Sequence, residues 1–354
     1  MWADFWGNRG IVEALEQALA SGRLPQTLLF AGPEGIGKAT LARRLAARLL
    51  GSAEKIERDD LSLAHNADYI AEREKWPAER RNEDPLLFCS QPDFVTFAPD
   101  GPLRQISIPQ MRFLKERAQY KPLKGARRVF LIDQLDRAGE HAANSLLKTL
   151  EEPPEHLILV LTAANAYDLL PTIRSRAVWF HFAPLSDEEL RQFIAGRGLQ
   201  EVERRVALAR GSPGVAVSVD LASYDRGRAG MLALLETASG GAPFEKWLQY
   251  AEAPAARGDR LEDLLRILYL LLEDVLLLRY GADGIRNADL RAELEALAAR
   301  VSFTWLRRAV ERVDELAGLV RRNIQKGIAL DALVVELREA GLKPGAASRG
   351  RPTG

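Results

Sequence analysis

The sequence predicts an α/β domain, a parallel sheet with flanking helices, followed by a chain that is helical to near its end. Three observations predict it. Short apolar runs alternate with helical patterns through the first half, the signature of strands joined by crossover helices. A glycine-rich loop ending in Gly37-Lys38 lies between one such run and a helix. From Asp187 onward the pattern is helical, broken at Gly240-Gly241.

The elements follow in order. Thr27 to Ala31 is a short apolar strand, and Thr40 to Leu50 is an Ala/Leu/Arg helix. Residues 52–84 are dense in charge and poor in apolar side chains, which reads as a solvated helical insertion. Phe94 to Phe97 is a strand stopped by Pro99-Asp100-Gly101. Arg128 to Asp133 is a strand with a carboxylate at its end, and His141 to Leu150 is a helix stopped by Pro153-Pro154. Leu157 to Thr162 and Val178 to Phe182 complete five parallel strands as a minimum. Ser186 and Glu189 have the spacing of a capping box and open the helical part. Short helices are expected over Asp187 to Gly196, Glu201 to Arg210 and Pro213 to Ser223. Longer ones are expected over Arg260 to Arg279, Ala288 to Arg300, Phe303 to Asn323 and Ile328 to Ala340. The expected domains are residues 1–183, a small helical segment 184–226, a larger helical domain 227–342 and a disordered tail 343–354.

Composition bounds the function. Hydrophobic residues at 47% and charged residues at 28% fit a globular protein. Lys+Arg and Asp+Glu are both 49, so the net charge is zero, and binding to DNA by an overall positive field is not expected. The single cysteine, Cys89, excludes an intrachain disulfide and fits a reducing, cytoplasmic setting. Met1 to Trp6 lacks the pattern of a signal peptide. Leu264 to Leu278 is the most apolar stretch, but Arg266, Glu273 and Asp274 interrupt it, so it reads as a buried helix and no membrane partner is expected.

Gly32-Pro33-Glu34-Gly35-Ile36-Gly37-Lys38-Ala39-Thr40 has GxxxxGK spacing in the context a phosphate loop requires. Its glycines let backbone N–H groups curl around phosphates, and Lys38 adds a charge at a helix N-terminus. Gly32, Gly35, Gly37, Lys38, Ala39 and Thr40, with Asp133, are the candidate nucleotide site. Ala39 stands where a Ser or Thr hydroxyl would hold Mg²⁺. Thr40 is displaced by about 100° around the helix and does not replace it. Two readings are open: a nucleotide-binding loop, or a retained fold element that binds weakly or not at all. Magnesium is expected only with nucleotide. Asp133 can serve as a metal carboxylate, but Gln134 follows it, and an amide is no general base. Asp136 is either a substitute base or a turn or helix-cap residue.

Asp133 to Ala138, the run Asn144-Ser145-Leu146-Leu147-Lys148-Thr149-Leu150-Glu151-Glu152-Pro153-Pro154, and Leu169 to Ala177 with Ser175-Arg176-Ala177 resemble the AAA+ clamp-loader family of bacterial DNA polymerase III. Gly7-Asn8, Gly22 to Pro25, Leu29 to Pro33 and Asn323 to Leu337 are similar to it as well. The resemblance implies an AAA+ P-loop domain, a helical lid and an all-α collar. Its departures are those of the delta-prime type: Ala39, Gln134, and Gly214 in Gly211-Ser212-Pro213-Gly214 where hydrolysing gamma/tau subunits carry a lid arginine. ATP is then weakly bound or not hydrolysed, and the chain itself is not expected to be an active ATPase. Many members have a four-cysteine zinc module, but one Cys with scattered His65, His141, His156 and His181 cannot build it, so no zinc is expected. Cys89 then reads as a small apolar residue.

The resemblance gives Arg176 a role in trans as an arginine finger, reaching the ATP of a neighbouring subunit. The plainer alternative is an ion pair within its own chain, with Arg174 as the control. Thr162 and Asn165 both fit the family's first sensor position. Lys115, Arg117, Lys121, Lys124, Arg127 and Arg128 form either a phosphate-contacting patch or a solvated basic face. The implied partners are gamma/tau and delta subunits, the sliding clamp, and primed DNA through the assembly. The competing functions are a stator donating Arg176, an autonomous gamma/tau-like motor, and a nucleotide-independent DNA-binding module.

Overall fold

Apolar residues on successive strand positions point to opposite faces of a sheet, and here each face has its own core. Leu28, Phe30, Val129, Leu131, Ile158 and Val160 pack into one. Leu29, Ala31, Phe130, Ile132, Leu159 and Leu161 pack into the other. Burial on both faces explains why these strands read as continuous apolar runs. The computed structural model describes residues 2, 4–251, 260–320 and 325–342. They divide into two compact units, Met1–Ser218 and Val219–Gly354.

In the first unit the elements run α1 (Arg9–Ala20), β1 (Thr27–Ala31), α2 (Lys38–Leu50), α3 (Ala53–Glu57), α4 (Ala64–Arg73), α5 (Ala78–Glu83), β2 (Leu87–Gln91), β3 (Phe94–Phe97), α6 (Ile108–Ala118), β4 (Arg128–Ile132), α7 (Glu140–Glu151), β5 (Leu157–Ala163), α8 (Pro171–Arg174), β6 (Val178–His181), α9 (Asp187–Gly196), α10 (Val202–Ala209) and α11 (Pro213–Ser218). The sheet order is β2-β3-β4-β5-β1-β6. Five strands are parallel as expected, and β2 adds an antiparallel edge against β3. The Ser186–Glu189 capping box opens α9, with Ser186 Oγ accepting from the Glu189 N–H at 3.2 Å.

The insertion is helical, but solvated only in part. Arg73 is fully buried and donates to Asp100 at 3.1 and 2.7 Å and to the Asp84 carbonyl at 2.5 Å. Its guanidinium also lies 4.5 Å from the Trp76 ring centroid. Ile70, Leu86, Phe88 and Ala98 form a small core beside it. The charge density of the sequence hid this because the central group is itself charged, and pairing allows it to be buried. Cys89 does not fill a core as expected. It is exposed on β2, with Sγ 3.5 Å from the Gln91 carbonyl.

The second unit contains α12 (Leu221–Ala238), α13 (Phe244–Ala251), α14 (Leu261–Arg279), α15 (Arg291–Arg300), α16 (Phe303–Val320) and α17 (Lys326–Leu342). The helix expected over Pro213 to Ser223 is in fact two, α11 and the start of α12, separated by Asp220, whose side chain caps α12. Helix α12 is continuous through the expected boundary at 226/227. Helix α14 lies at the centre of the unit's core, with Leu264, Leu268, Leu271 and Val275 buried among Trp247, Leu294, Trp305 and Leu337. Among the described residues no helix is long and apolar enough to cross a membrane. The expected helix extension to Asn323 and the tail 343–354 lie outside the described residues.

Candidate nucleotide site and arginine corner

The phosphate loop joins β1 to α2 at the C-terminal edge of the sheet, where the N–H groups of the first helical turn lack intrahelical partners. Gly32, Gly35 and Gly37 all have positive φ, which lets the backbone curl. Lys38 is 8% exposed, and its ammonium donates to the Gly32 and Pro33 carbonyls at 2.5 and 2.7 Å. Burial pushes its pKa down, against the pull of Asp133, Asp136 and Glu34.

The segment after α10 closes over this loop. Ser212 Oγ donates to the Glu34 carbonyl at 2.8 Å, and the Gly214 N–H donates to the Gly35 carbonyl at 2.8 Å. The approach is close enough to require both glycines. A Cβ on Gly35 would lie 2.5 Å from Ser212 Oγ, and one on Gly214 would lie 2.8 Å from the Gly35 carbonyl. A Cβ on Gly37 would lie 3.0 Å from the Phe5 ring. Sequence reasoning placed Gly214 as a missing arginine but did not find Ser212. The interval of 178 residues between Ser212 and Glu34 carries no local signal.

Asp133 directly follows β4 and is buried. Burial pushes its pKa up, opposed by the hydrogen bond from Thr162 and by the Lys38 charge. Thr162 Oγ1 donates to Asp133 Oδ1 at 2.6 Å and accepts from the Gln134 N–H at 2.8 Å. Asn165 is elsewhere: its Oδ1 accepts from the Tyr167 N–H at 3.0 Å, capping a short turn. Of the two sensor candidates, only Thr162 touches Asp133. Asp136 Oδ2 accepts from the Ala164 N–H at 3.2 Å, a contact across 28 residues that is neither a local turn bond nor a helix cap.

These residues fit a phosphate group better than a metal-assisted reaction. Backbone N–H groups and Lys38 are suited to an anion. Ala39 has no hydroxyl, Thr40 lies one residue further along α2, and the carboxylate of Asp133 is held by Thr162. The position after Asp133 is an amide on a left-handed backbone, with Gln134 φ at 55°.

Arg176 lies apart from this loop, just after α8 and before edge strand β6. Its side chain is 33% exposed. Nη1 donates to the Thr172 carbonyl at 2.8 Å and to Ser175 Oγ at 3.1 Å, and Nη2 donates to Glu151 Oε1 at 2.7 Å. The ion pair considered as the alternative thus exists, on a half-exposed carboxylate. Arg174 differs, lying 5.1 Å from the Tyr167 ring centroid while its carbonyl accepts from Trp179 Nε1 at 2.8 Å. In the basic cluster, Arg128 is structural. It is buried, donates to the carbonyls of Arg117, Tyr120 and Pro92, and pairs with Asp93 at 3.8 Å. Lys115, Arg117, Lys121, Lys124 and Arg127 are exposed.

Two family models match the chain. The one described as DNA polymerase III, delta subunit, matches residues 7–186, just over half of the chain. The one described as DNA polymerase III, delta subunit, C terminal, matches residues 242–337. The tau subunit of DNA polymerase III from Escherichia coli (strain K12) is 31% identical over 190 residues, 54% of this chain and 26% of that protein. The tau/gamma subunit from Haemophilus influenzae is 30% identical over 194 residues, 55% of this chain and 25% of that protein. The aligned part thus spans about a quarter of the length of these curated relatives. A gamma/tau subunit from Mycobacterium tuberculosis is 27% identical over 297 residues, 84% of this chain and 44% of that protein. A solved DNA polymerase III gamma subunit-related protein from Thermotoga maritima aligns with a TM-score of 0.46 at 17% identity, over 92% of this chain and 98% of that one.

Proposed function

We propose, from the premise that the chain belongs to the family described as DNA polymerase III, delta subunit, and is a clamp-loader subunit, that it acts as the delta-prime-type stator. It contributes Arg176 in trans to the ATP site of a neighbouring hydrolysing subunit and turns over no ATP itself. The observation that carries this reading is the contrast within one unit between a phosphate loop latched from outside and an arginine on an exposed corner. An arginine finger stabilises charge that develops on the transferred phosphoryl group, and it needs no working site of its own. Gamma/tau and delta subunits are the proposed partners, with the sliding clamp and primed DNA met through the assembly.

A second reading has support of its own, because the curated relatives carry tau and gamma names. In that reading the chain is a motor. Ala39, Gln134 and Gly214 speak against it: the metal hydroxyl, the base and the lid arginine are all replaced. The two readings separate in one assay of magnesium-dependent ATP turnover. The stator predicts no turnover by the isolated chain. It also predicts that an Arg176→Ala complex assembles normally and loses roughly 10³-fold or more of the turnover at the one site Arg176 serves. Turnover by the isolated chain would establish the motor instead.

A further inference from the structure

We infer that Glu151 is the counter-ion of Arg176 before engagement, a positioning residue that competes with the incoming phosphate for the guanidinium. The inference rests on the finger reading of Arg176 and adds to it the group that restrains the finger.

The partners of Arg176 are of two kinds. Thr172 and Ser175 belong to the same short segment as the arginine and are neutral. They aim the guanidinium without neutralising it. Glu151 comes from the end of a different helix, 25 residues away, and supplies a full negative charge at 2.7 Å. Its place is fixed independently, because α7 is anchored by buried Leu146 and Leu150. The C-terminal end of α7 adds its own negative potential at the same point. Arg176 therefore lies in a weak anion trap built by a helix it does not belong to.

A guanidinium has five N–H donors, and the three bonds here leave room for a phosphate oxygen. A phosphate arriving at that edge would face the Glu151 carboxylate across the same guanidinium. Two anions so placed repel, so engagement is favoured when Glu151 lets go. The pair can let go. Its side chains are 33% and 48% exposed, and such pairs contribute little and are screened by salt. Phosphate can take the arginine fork through two parallel bonds, whereas Glu151 accepts one. Glu151 thereby holds the finger in the free subunit at little cost to its use in the assembly.

The test uses the assembled complex of this chain with a hydrolysing gamma/tau-type subunit and a delta subunit, and reads ATP turnover without DNA or clamp. Glu151→Gln keeps an acceptor of the same shape and removes the charge. Turnover is expected to rise roughly two- to fivefold, the range of an exposed ion pair, and the rise is expected to shrink as ionic strength increases. Glu151→Asp, which keeps the charge on a shorter arm, is expected to fall between. In an Arg176→Ala background, Glu151→Gln is expected to change nothing, since it acts only through the arginine. Turnover by Glu151→Gln that is unchanged or lower at low salt, or an equal effect with Arg176 absent, would overturn the inference while leaving the finger intact. If Arg176→Ala itself has no effect, the finger reading fails, and that result is distinct from a failure of Glu151.

Discussion

The phosphate loop and the Arg176 corner belong to the same unit and differ in where their positive charge is directed. Lys38 is 8% exposed and bonded to carbonyls of its own loop, with Ser212 and Gly214 fastened to the adjacent Glu34 and Gly35. Arg176 is a third exposed and is paired with a surface carboxylate. A buried ammonium already satisfied by its own backbone has little to offer a reaction. An exposed guanidinium on an exchangeable partner is available to another molecule. The comparison teaches that the two regions can be altered separately, because no residue is shared between them.

The largest perturbation of the closed side is Gly214→Arg, which restores the side chain that hydrolysing relatives are expected to carry. Its Cβ would meet the Gly35 carbonyl at 2.8 Å, so the loop or the closing segment must shift. A loss of about 2 kcal/mol is expected from such overpacking, read as a lowered thermal midpoint. No ATP turnover is expected to appear, because Ala39 and Gln134 are unchanged. A variant that is equally stable and hydrolyses ATP would erase the contrast. Ser212→Ala is milder. It removes the hydroxyl bond to the Glu34 carbonyl and is expected to cost about 1 kcal/mol in denaturant unfolding. It leaves the Gly214–Gly35 bond in place, so the closed side should stay closed.

Asp133→Asn is expected to have an effect that depends on pH. Burial raises the Asp133 pKa in the folded chain, so folding disfavours its ionised form. That penalty is complete above the folded-state pKa and absent below the unfolded one. The Asn variant should therefore unfold at higher denaturant than the parent at neutral pH, with Thr162 and Lys38 offsetting part of the burial. The advantage should disappear as pH falls through the folded-state pKa. An advantage that grows on acidification would mean that the carboxylate is stabilised in its charged form.

Much of this contrast was legible in the sequence, for physical reasons. Strands β1, β4 and β5 are buried on both faces and read as unbroken apolar runs. The phosphate loop, Ala39 and Gln134 are local patterns whose chemistry can be argued from residue type, while the reading of Arg176 rests on the family resemblance. What escaped depended on distance. Strand β2 has exposed Cys89 and Ser90 at its centre and a register shift against β3, so it lacks alternation. Helix α12 contains Gly227 and Gly230, which weaken helical propensity and make sense only where Ile267 and the Tyr250 ring press against them. The Glu151–Arg176 pair and the Ser212–Glu34 latch join residues from different elements, and no periodicity announces them.

The most direct test sets the two regions against each other in one assembly. Complexes containing the parent chain, Lys38→Ala or Arg176→Ala would be compared for ATP turnover on primed DNA with clamp. The expectation is that Lys38→Ala leaves turnover near the parent level, while Arg176→Ala assembles and slows it. Slowing by Lys38→Ala with Arg176→Ala unaffected would contradict the account and identify the latched loop as the working site.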